Sequence, residues 1–286
     1  MFHRVRAALL AAGLALLVAG CGAAIAPQLH NDADRVPLAR RYYEQREYSL
    51  AADVLTGYTT TGTGAADIDQ AVYLLGLVNL KQRDWAAAQA QFERVTRDYP
   101  ESDSAGAARY RLGESLFGQS RDADFDQEFT LKAMAQWQAF LTDAPDDPWA
   151  PSAREAIARC RARLARKLWR TGDLYVKQKY YEPALVYFRS VMNDYADTPV
   201  LGDALMGLAV ADAKLGRKDT ALVVLDGLAK QFDGQALGLR ASALRARVAK
   251  WPAEGDTRHR RHRALEAPTP SPQTATPSST STPFTP

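Results

Sequence analysis

The chain has 286 residues, of which 47% are hydrophobic and 24% are charged, and its formal net charge is +3. This is the composition of an ordinary soluble globular protein. The surplus of positive charge lies at the two ends of the chain, so the central part is close to neutral and gives no indication of a nucleic-acid partner.

The first residues have the pattern of a secretory signal with a lipobox. Two arginines precede an uncharged run of alanine and leucine, which closes with Val18-Ala19-Gly20-Cys21. Small residues before a cysteine are typical of a site where the thiol is acylated, for example by palmitate. We predict a signal peptide over residues 1–20, lipidation at Cys21 and a tether over 21–33. A transmembrane anchor is the alternative, although the run is only weakly hydrophobic for a membrane span.

Cysteine usage agrees with a lipoprotein of the cell envelope. Gly22 follows the lipobox where an aspartate would retain a bacterial lipoprotein, and this favours export to the periplasmic face of the outer membrane. Once Cys21 is lipidated, only Cys160 remains, so no disulfide framework can form. Cys160 lies on an apolar stripe with helical spacing and is predicted to be a small buried hydrophobe.

Residues 68–100 show most clearly the pattern that recurs in the central part of the chain. They are predicted to form two antiparallel helices, which are separated at residues 82–84. Gly76 and Ala88 are predicted to lie where the two helices cross, because only small side chains let helix backbones approach so closely. Phe92 follows one turn after Ala88 and is predicted to fill the remaining gap. These offsets match the tetratricopeptide repeat.

The same arrangement recurs along the chain. An alanine followed four residues later by an aromatic residue or leucine occurs in five places, and in four of them a small residue stands 12 positions earlier. The pairs are Ala51/Leu55, Ala88/Phe92, Ala133/Trp137, Ala184/Phe188 and Ala221/Leu225, and the small residues are Ala39, Gly76, Gly172 and Ala209. A single helical hairpin cannot bury its own apolar face, so we predict an array of them.

The third unit departs from this spacing. Gly113 lies 20 rather than 12 residues before Ala133, which predicts an insertion of 8 residues with a loop at 118–124. A further loop is predicted at 59–66, where threonines and glycines follow one another. A helix of about 28 residues is predicted from residue 152 onward, because no helix breaker interrupts the pattern.

These observations predict an all-α fold. Its form is a right-handed α-solenoid of about five tetratricopeptide-like helical hairpins over residues 34–251, with a capping helix at 235–251. Residues 252–286 are basic at first and then rich in proline, serine and threonine. Such a segment cannot bury enough apolar surface to fold, so a disordered tail is predicted.

Motifs for catalysis are absent from the sequence. It contains no phosphate-binding glycine-rich loop, nucleophile elbow, HExxH or CxxC, and all four histidines lie outside the repeats. We therefore expect no enzyme activity, no metal and no cofactor. The alternative is a cation or catalytic site in the insertion of the third unit, although flexible acidic loops are usually only solvated. Its carboxylates are Asp122, Asp124, Asp126 and Glu128.

Two tracts carry a resemblance to a known family. RDADFDQEFTLKAMAQWQAFLTDAPDDPWAPSA and LYVKQKYYEPALVYFRSVMNDYADTP, taken with the lipobox and the five units, are similar to the BamD family of outer-membrane assembly lipoproteins. The resemblance covers roughly residues 34–233. It is most specific in the fourth unit, where Ala196 replaces the proline that is usual in this family.

This resemblance implies a subunit of the machinery that assembles β-barrel proteins in the outer membrane. The implied partners are unfolded barrel substrates at the amino-terminal units, and a BamA-like barrel-forming subunit at the carboxy-terminal units. The resemblance also implies contact with other assembly lipoproteins, and with the outer membrane through the lipid anchor. The alternative is a periplasmic repeat lipoprotein that serves as a scaffold for cell-envelope or division machinery.

Candidate binding residues follow from the repeat register. First helices line the concave surface of such repeats, and an apolar, aromatic groove suits the aromatic end of a barrel strand. The candidates for substrate-peptide binding are Val36, Arg40, Tyr43, Tyr73, Leu77, Leu80, Tyr110, Glu114 and Phe117. The candidates for partner docking are Tyr180, Tyr187, Arg189 and Arg217. Alternatively, several residues of the first set simply pack between units.

Overall fold

The structure is a computed structural model that describes residues 32–62 and 64–251. The predicted signal, the lipidation site Cys21, the tether up to residue 31 and the tail from residue 252 lie outside the described residues. Within the described part, the regular structure consists of eleven α-helices and one short 3-10 turn, Asp32–Asp34, without any strand. The prediction of an all-α fold is confirmed.

The helices follow one another as five successive hairpins and a final helix. In chain order they are α1 (Arg35–Glu44), α2 (Tyr48–Thr61), α3 (Ile68–Gln82), α4 (Trp85–Asp98), α5 (Ala105–Gln119), α6 (Glu128–Asp143), α7 (Ala150–Lys177), α8 (Tyr181–Asp194), α9 (Leu201–Lys214), α10 (Lys218–Gln231) and α11 (Ala236–Val248). Helix α7 has 28 residues, which confirms the predicted long helix.

The described helices form two compact units. Residues 32–120 and 131–154 make up the first unit, and residues 121–130 and 155–251 make up the second. In the first unit α1 packs on α2 and α3, and α4 packs on α3 and α5. In the second unit α9 packs on α8 and α10, and α11 packs on α10. This succession of neighbouring contacts is the pattern of a helical repeat.

The crossing points of the hairpins are built as the spacing predicts. A Cβ atom on Gly76 would lie 2.7 Å from the ring of Phe92, and Gly113 has the same relation to the ring of Trp137. Gly172 likewise lies against the aromatic residue of its own hairpin. All five repeat alanines and their partners four residues later are at most 1% exposed. A missing side chain on one helix therefore makes room for a buried ring or leucine from the next.

The four hairpins without an insertion turn through a residue in the left-handed conformation. These residues are Arg46, Arg83, Lys179 and Gly216, with φ angles of 64°, 62°, 67° and 90°. Each stands five positions before the repeat alanine of its hairpin. In the second hairpin the next residue, Asp84, caps α4, because its carboxylate accepts a hydrogen bond from the N–H of Ala87.

The insertion of the third hairpin is confirmed, and its loop runs over residues 120–127 rather than 118–124. Helix α5 continues through Gly118, where a Cβ atom would lie 2.4 Å from the ring of Trp85, so this glycine is a packing position of the helix and not a loop residue. The loop is closed by Gln127, whose buried amide donates hydrogen bonds to three loop carbonyl oxygens.

The predicted loop at 59–66 begins too early. Helix α2 continues to Thr61, so three of the threonines in that stretch are helical. Their hydroxyl groups donate to backbone carbonyl oxygens three or four residues earlier, on Thr56 and Gly57. Threonine at these positions is tolerated in a helix because its hydroxyl finds a partner within the same turn.

Candidate functional site

Residues from the first helices of three hairpins come together in the first unit. Tyr43 lies on α1, Tyr73 on α3 and Glu114 on α5, and all three are half-buried. The pKa of Tyr43 is raised above its usual value, chiefly because burial disfavours the phenolate, and also because Tyr48, Tyr73 and Glu114 lie nearby. Its ring meets that of Tyr48 edge-on, with 5.6 Å between the ring centroids.

Arg111 stands at the centre of this group, although the repeat register does not select it. Its Nη1 donates to the Glu114 carboxylate at 2.5 Å, and Tyr73 lies close enough to raise the pKa of its guanidinium. Burial works against the charged guanidinium, but the attraction of Glu114 outweighs it, so the pKa of Arg111 is raised. We call Tyr43, Tyr73, Arg111 and Glu114 the tyrosine surface.

An aromatic stack supports the tyrosine surface. The ring of Trp149 lies 4.9 Å from that of Tyr110 at an interplanar angle of 18°, and the Arg111 guanidinium lies 4.7 Å from the Trp149 ring centroid. Tyr110 is only 5% exposed, and its carbonyl oxygen accepts a hydrogen bond from Nε1 of Trp137. Tyr110 therefore packs inside the hairpin, which is the alternative that the sequence left open for some of these residues.

The other candidates of the first unit differ in exposure. Arg40 is exposed, whereas Val36 is buried at 4%. Leu77, Leu80 and Phe117 are half-buried, and the Phe117 ring centroid lies 6.1 Å from that of Trp137. Only part of the predicted set is thus gathered at one place.

A second aromatic group lies in the second unit, around Tyr175 of α7. The ring of Tyr187 stacks on Tyr175 at 5.4 Å and 16°, and Tyr180 meets the same ring edge-on at 6.3 Å. Burial raises the pKa of the Tyr187 phenol, with Tyr175 as the next cause. Tyr180 is 39% exposed and Arg189 of α8 is also exposed. Tyr175 itself was not selected from the sequence, because it lies between the register positions of its helix.

Arg217 joins three elements of the second unit. Its guanidinium contacts Glu182 of α8 at 2.6 Å and Asp212 of α9 at 3.3 Å. Asp212 is only 2% exposed, so Arg217 supplies the positive charge that its buried carboxylate requires. Burial of Arg217 opposes its charged form, but both carboxylates raise its pKa. This side chain is therefore engaged within the unit.

Two acidic residues of the insertion, Asp124 and Asp126, make contacts that support the fold. Asp124 forms a salt bridge of 2.5 Å with Arg170, and an Asp126 oxygen accepts a hydrogen bond from the N–H of Glu128. Among residues 32–62 and 64–251, no three His, Cys, Asp or Glu side chains are grouped as metal ligands would be. In the same part of the chain, no helix combines the length and apolar character needed to cross a bilayer.

Comparison with known proteins gives the family. The model of the YfiO family, described as an outer membrane lipoprotein, matches residues 78–224, which is just over half of the chain. Two similar proteins are both named outer membrane protein assembly factor BamD. The one from Pasteurella multocida is 23% identical over 195 residues, which are 64% of this chain and 75% of that protein. The one from Caulobacter vibrioides is 26% identical over 152 residues, which are 53% of this chain and 50% of that protein.

The matched region extends from α3 to α10 and so includes parts of both described units. It contains the insertion of the third hairpin, the long helix α7 and the tyrosine-rich start of α8, on which the resemblance rests. The chain belongs to the YfiO family of outer membrane lipoproteins.

Proposed function

We propose that this chain acts in the assembly of outer-membrane proteins as a binding scaffold without catalysis. In this proposal the tyrosine surface of the first unit receives unfolded β-barrel proteins, and the second unit docks a barrel-forming subunit of the BamA type. A lipid on Cys21 would hold the chain at the periplasmic face of the outer membrane, beside other assembly lipoproteins. The family and both relatives carry names that support this role.

The observation that carries the proposal is the convergence of three hairpins on one surface. Tyr43, Tyr73 and Glu114 come from three different first helices, and Arg111 connects two of them. A strand of an outer-membrane barrel alternates aromatic or apolar residues with polar ones. Half-buried tyrosines suit such a segment, because their rings offer apolar contact and their hydroxyl groups offer hydrogen bonds at low cost in side-chain entropy.

The chemistry of the second unit supports protein docking. Tyr180 and Arg189 expose an aromatic ring and a guanidinium, which are among the side chains enriched at protein interfaces. The ring of Tyr175 fixes both Tyr180 and Tyr187 in place. We propose that Arg217 acts indirectly, since it holds α8 and α9 together through Glu182 and Asp212.

A peptide-binding measurement tests the first half of the proposal. A fluorescent peptide from the last strand of an outer-membrane barrel would be titrated with the full chain and followed by anisotropy. We expect Tyr73→Ala to weaken binding about tenfold, in the range of an interface residue whose truncation costs more than 1 kcal/mol. Tyr73→Phe should bind nearly as well as the unchanged chain, because it retains the ring.

Tyr42→Ala is the matched control for this measurement. Tyr42 is also a half-buried tyrosine, but it lies one residue before Tyr43 and so points about 100° away around α1. It should leave the affinity within about twofold. Equal losses for Tyr73→Ala and Tyr42→Ala would contradict the proposal and place the peptide elsewhere.

A further inference from the structure

A cavity of about 200 Å³ opens in the second unit between α7 and the start of α9. None of the docking residues considered above lines it. The lining residues are Arg166, Trp169 and Arg170 on one side and Pro199, Val200 and Asp203 on the other.

Trp169 forms an aromatic wall of this cavity. It also occupies a position that recurs in the repeat. It stands three residues before Gly172, just as Tyr73 stands three residues before Gly76. Its ring is partly buried against the core of the second unit. Val200, only 5% exposed, belongs to the same core. The cavity therefore offers an apolar floor that is already ordered.

Of the charged residues that line the cavity, Arg166 is the one without a salt-bridge partner among the described residues. Arg170 is paired with Asp124, and Asp203 is paired with Arg240 at 3.0 Å. Arg166 is exposed and forms no salt bridge with any of the described residues. An arginine without a carboxylate beside an apolar wall is suited to an incoming anionic group that also carries apolar surface.

The chain itself shows which kind of segment binds next to this cavity. The acidic insertion loop lies against α7, where Asp124 contacts Arg170 and the carbonyl oxygen of Phe125 accepts a hydrogen bond from Lys167 at 2.7 Å. A carboxylate and a backbone carbonyl from a turn of this acidic loop are thus already bound by neighbouring cations of the same helix. Arg166 lies one turn before Arg170 on that helix face.

We propose that this cavity binds an acidic segment of a partner protein. A glutamate or aspartate of the segment pairs with Arg166, and an adjacent apolar side chain packs on Trp169 and Val200. Asp203 at the rim favours a peptide, because its carboxylate accepts hydrogen bonds from peptide N–H groups, which a phosphate group lacks. The inference is independent of the tyrosine surface and extends the proposed function by a second kind of partner contact.

The test uses the full chain and a fluorescein-labelled peptide of the sequence Glu-Phe-Glu-Leu-Glu, with anisotropy as the readout. We expect Arg166→Glu to weaken binding at least tenfold, and replacement of each Glu in the peptide by Gln to have a similar effect. Arg247→Glu is the control with the same change of charge, since Arg247 is an exposed arginine of α11 in the same unit, lies outside the cavity and is not one of the docking residues. It should change the affinity less than twofold.

Several results would overturn the inference. One is unchanged peptide affinity in Arg166→Glu, and another is equal binding of the Glu and Gln peptides. A third is binding that depends on Arg166 for phosphatidylglycerol vesicles but not for the peptide, which would make the ligand a lipid headgroup. If Arg166→Glu melts at a lower temperature than the unchanged chain, Arg166→Gln provides the same comparison without charge reversal. Binding of the barrel peptide should persist in both variants, so failure here leaves the proposed function intact.

Discussion

Gly76 illustrates how a single residue sets the approach of two helices. The fully buried ring of Phe92 occupies the space that a side chain at position 76 would need. Because protein interiors are packed as densely as organic crystals, no free volume remains there for a methyl group. The contact explains why the repeat requires a small residue at this position and an aromatic residue 16 positions later.

Gly76→Ala should therefore destabilise the first unit. Overpacking of a buried site lowers the free energy of unfolding by roughly 1–3 kcal/mol. The better helix propensity of alanine offsets at most about 1 kcal/mol of this loss. Gly57→Ala is the control, because Gly57 lies in α2 with no atom within 4 Å of a Cβ placed there. It should stabilise slightly. Thermal melting of both variants separates the two effects, and equal shifts in Tm would contradict the packing argument.

Cys160 gives a second prediction for one residue. It is fully buried, as the sequence predicts, and burial raises the pKa of its thiol from 9.0 to about 12. Folding thus favours the neutral thiol, so its contribution to stability is present below pH 9.0 and is lost as the pH rises toward 12.

At pH 8 this thiol should be almost unreactive. In a Cys21→Ser chain, we expect maleimide labelling of Cys160 to be at least about a hundredfold slower in the native state than in guanidinium, because the thiolate is the reactive form. Mass spectrometry of the labelled chain measures the rate. Fast native labelling would show that this residue is accessible and not part of the core.

The sequence predicted the residues at the helix crossings, but it did not predict Arg111 at the centre of the tyrosine surface. Gly76 and Phe92 are fixed by local spacing, which the sequence records directly. Arg111 and Trp149 are brought together by folding across 38 positions of the chain, and neither lies at a register position that repeats. A contact of this kind has no periodic signal, so only the structure reveals it.

At the scale of the element, the hairpin turns share a feature that the apolar pattern did not reveal. A left-handed residue stands at the same place in four hairpins, but its identity varies among arginine, lysine and glycine. Non-glycine residues adopt this conformation at a cost of roughly 1–2 kcal/mol, which the packing of the two helices must outweigh. Gly216 is the only glycine of the four and takes this conformation without strain.

Gly216→Ala should consequently destabilise the second unit by about 1 kcal/mol. Gly227→Ala in the adjacent helix α10 is the matched control, since a Cβ there meets nothing within 4 Å. It should instead add up to about 1 kcal/mol through helix propensity. Urea titration of the two variants gives the comparison, and a stabilised Gly216→Ala chain would refute the assignment of strain to this turn.

Element boundaries were less predictable than the elements themselves. The threonines at the end of α2 have poor helix propensity, yet their hydroxyl groups bond within the helix and keep it intact to Thr61. The insertion loop starts two residues later than predicted, because Gly118 is a helical position at which the ring of Trp85 leaves no room for a side chain. In both cases residues of low helix propensity lie inside the helix, and propensity alone therefore placed its end too early.

At the scale of the whole molecule, the sequence predicted the helical class and the family but not the division into two units. The count of five hairpins suggests one uninterrupted array, whereas the described residues separate at residue 155. The division falls inside α7, whose 28 residues are twice the length of α8, α9 and α10. One helix of this length contributes residues to two cores. The solenoid form, its handedness and the tail after residue 252 stay predictions.

We propose that this chain works in outer-membrane protein assembly by binding other proteins. The most direct measurement is isolation of the tagged, full-length chain from detergent-solubilised outer membrane, followed by mass spectrometry of the proteins that accompany it. We predict that a barrel-forming subunit of the BamA type is recovered in near-equal amount, and that unfinished barrel proteins are recovered in smaller amounts. Recovery of division or peptidoglycan proteins in their place, with no barrel-forming subunit, would contradict the account.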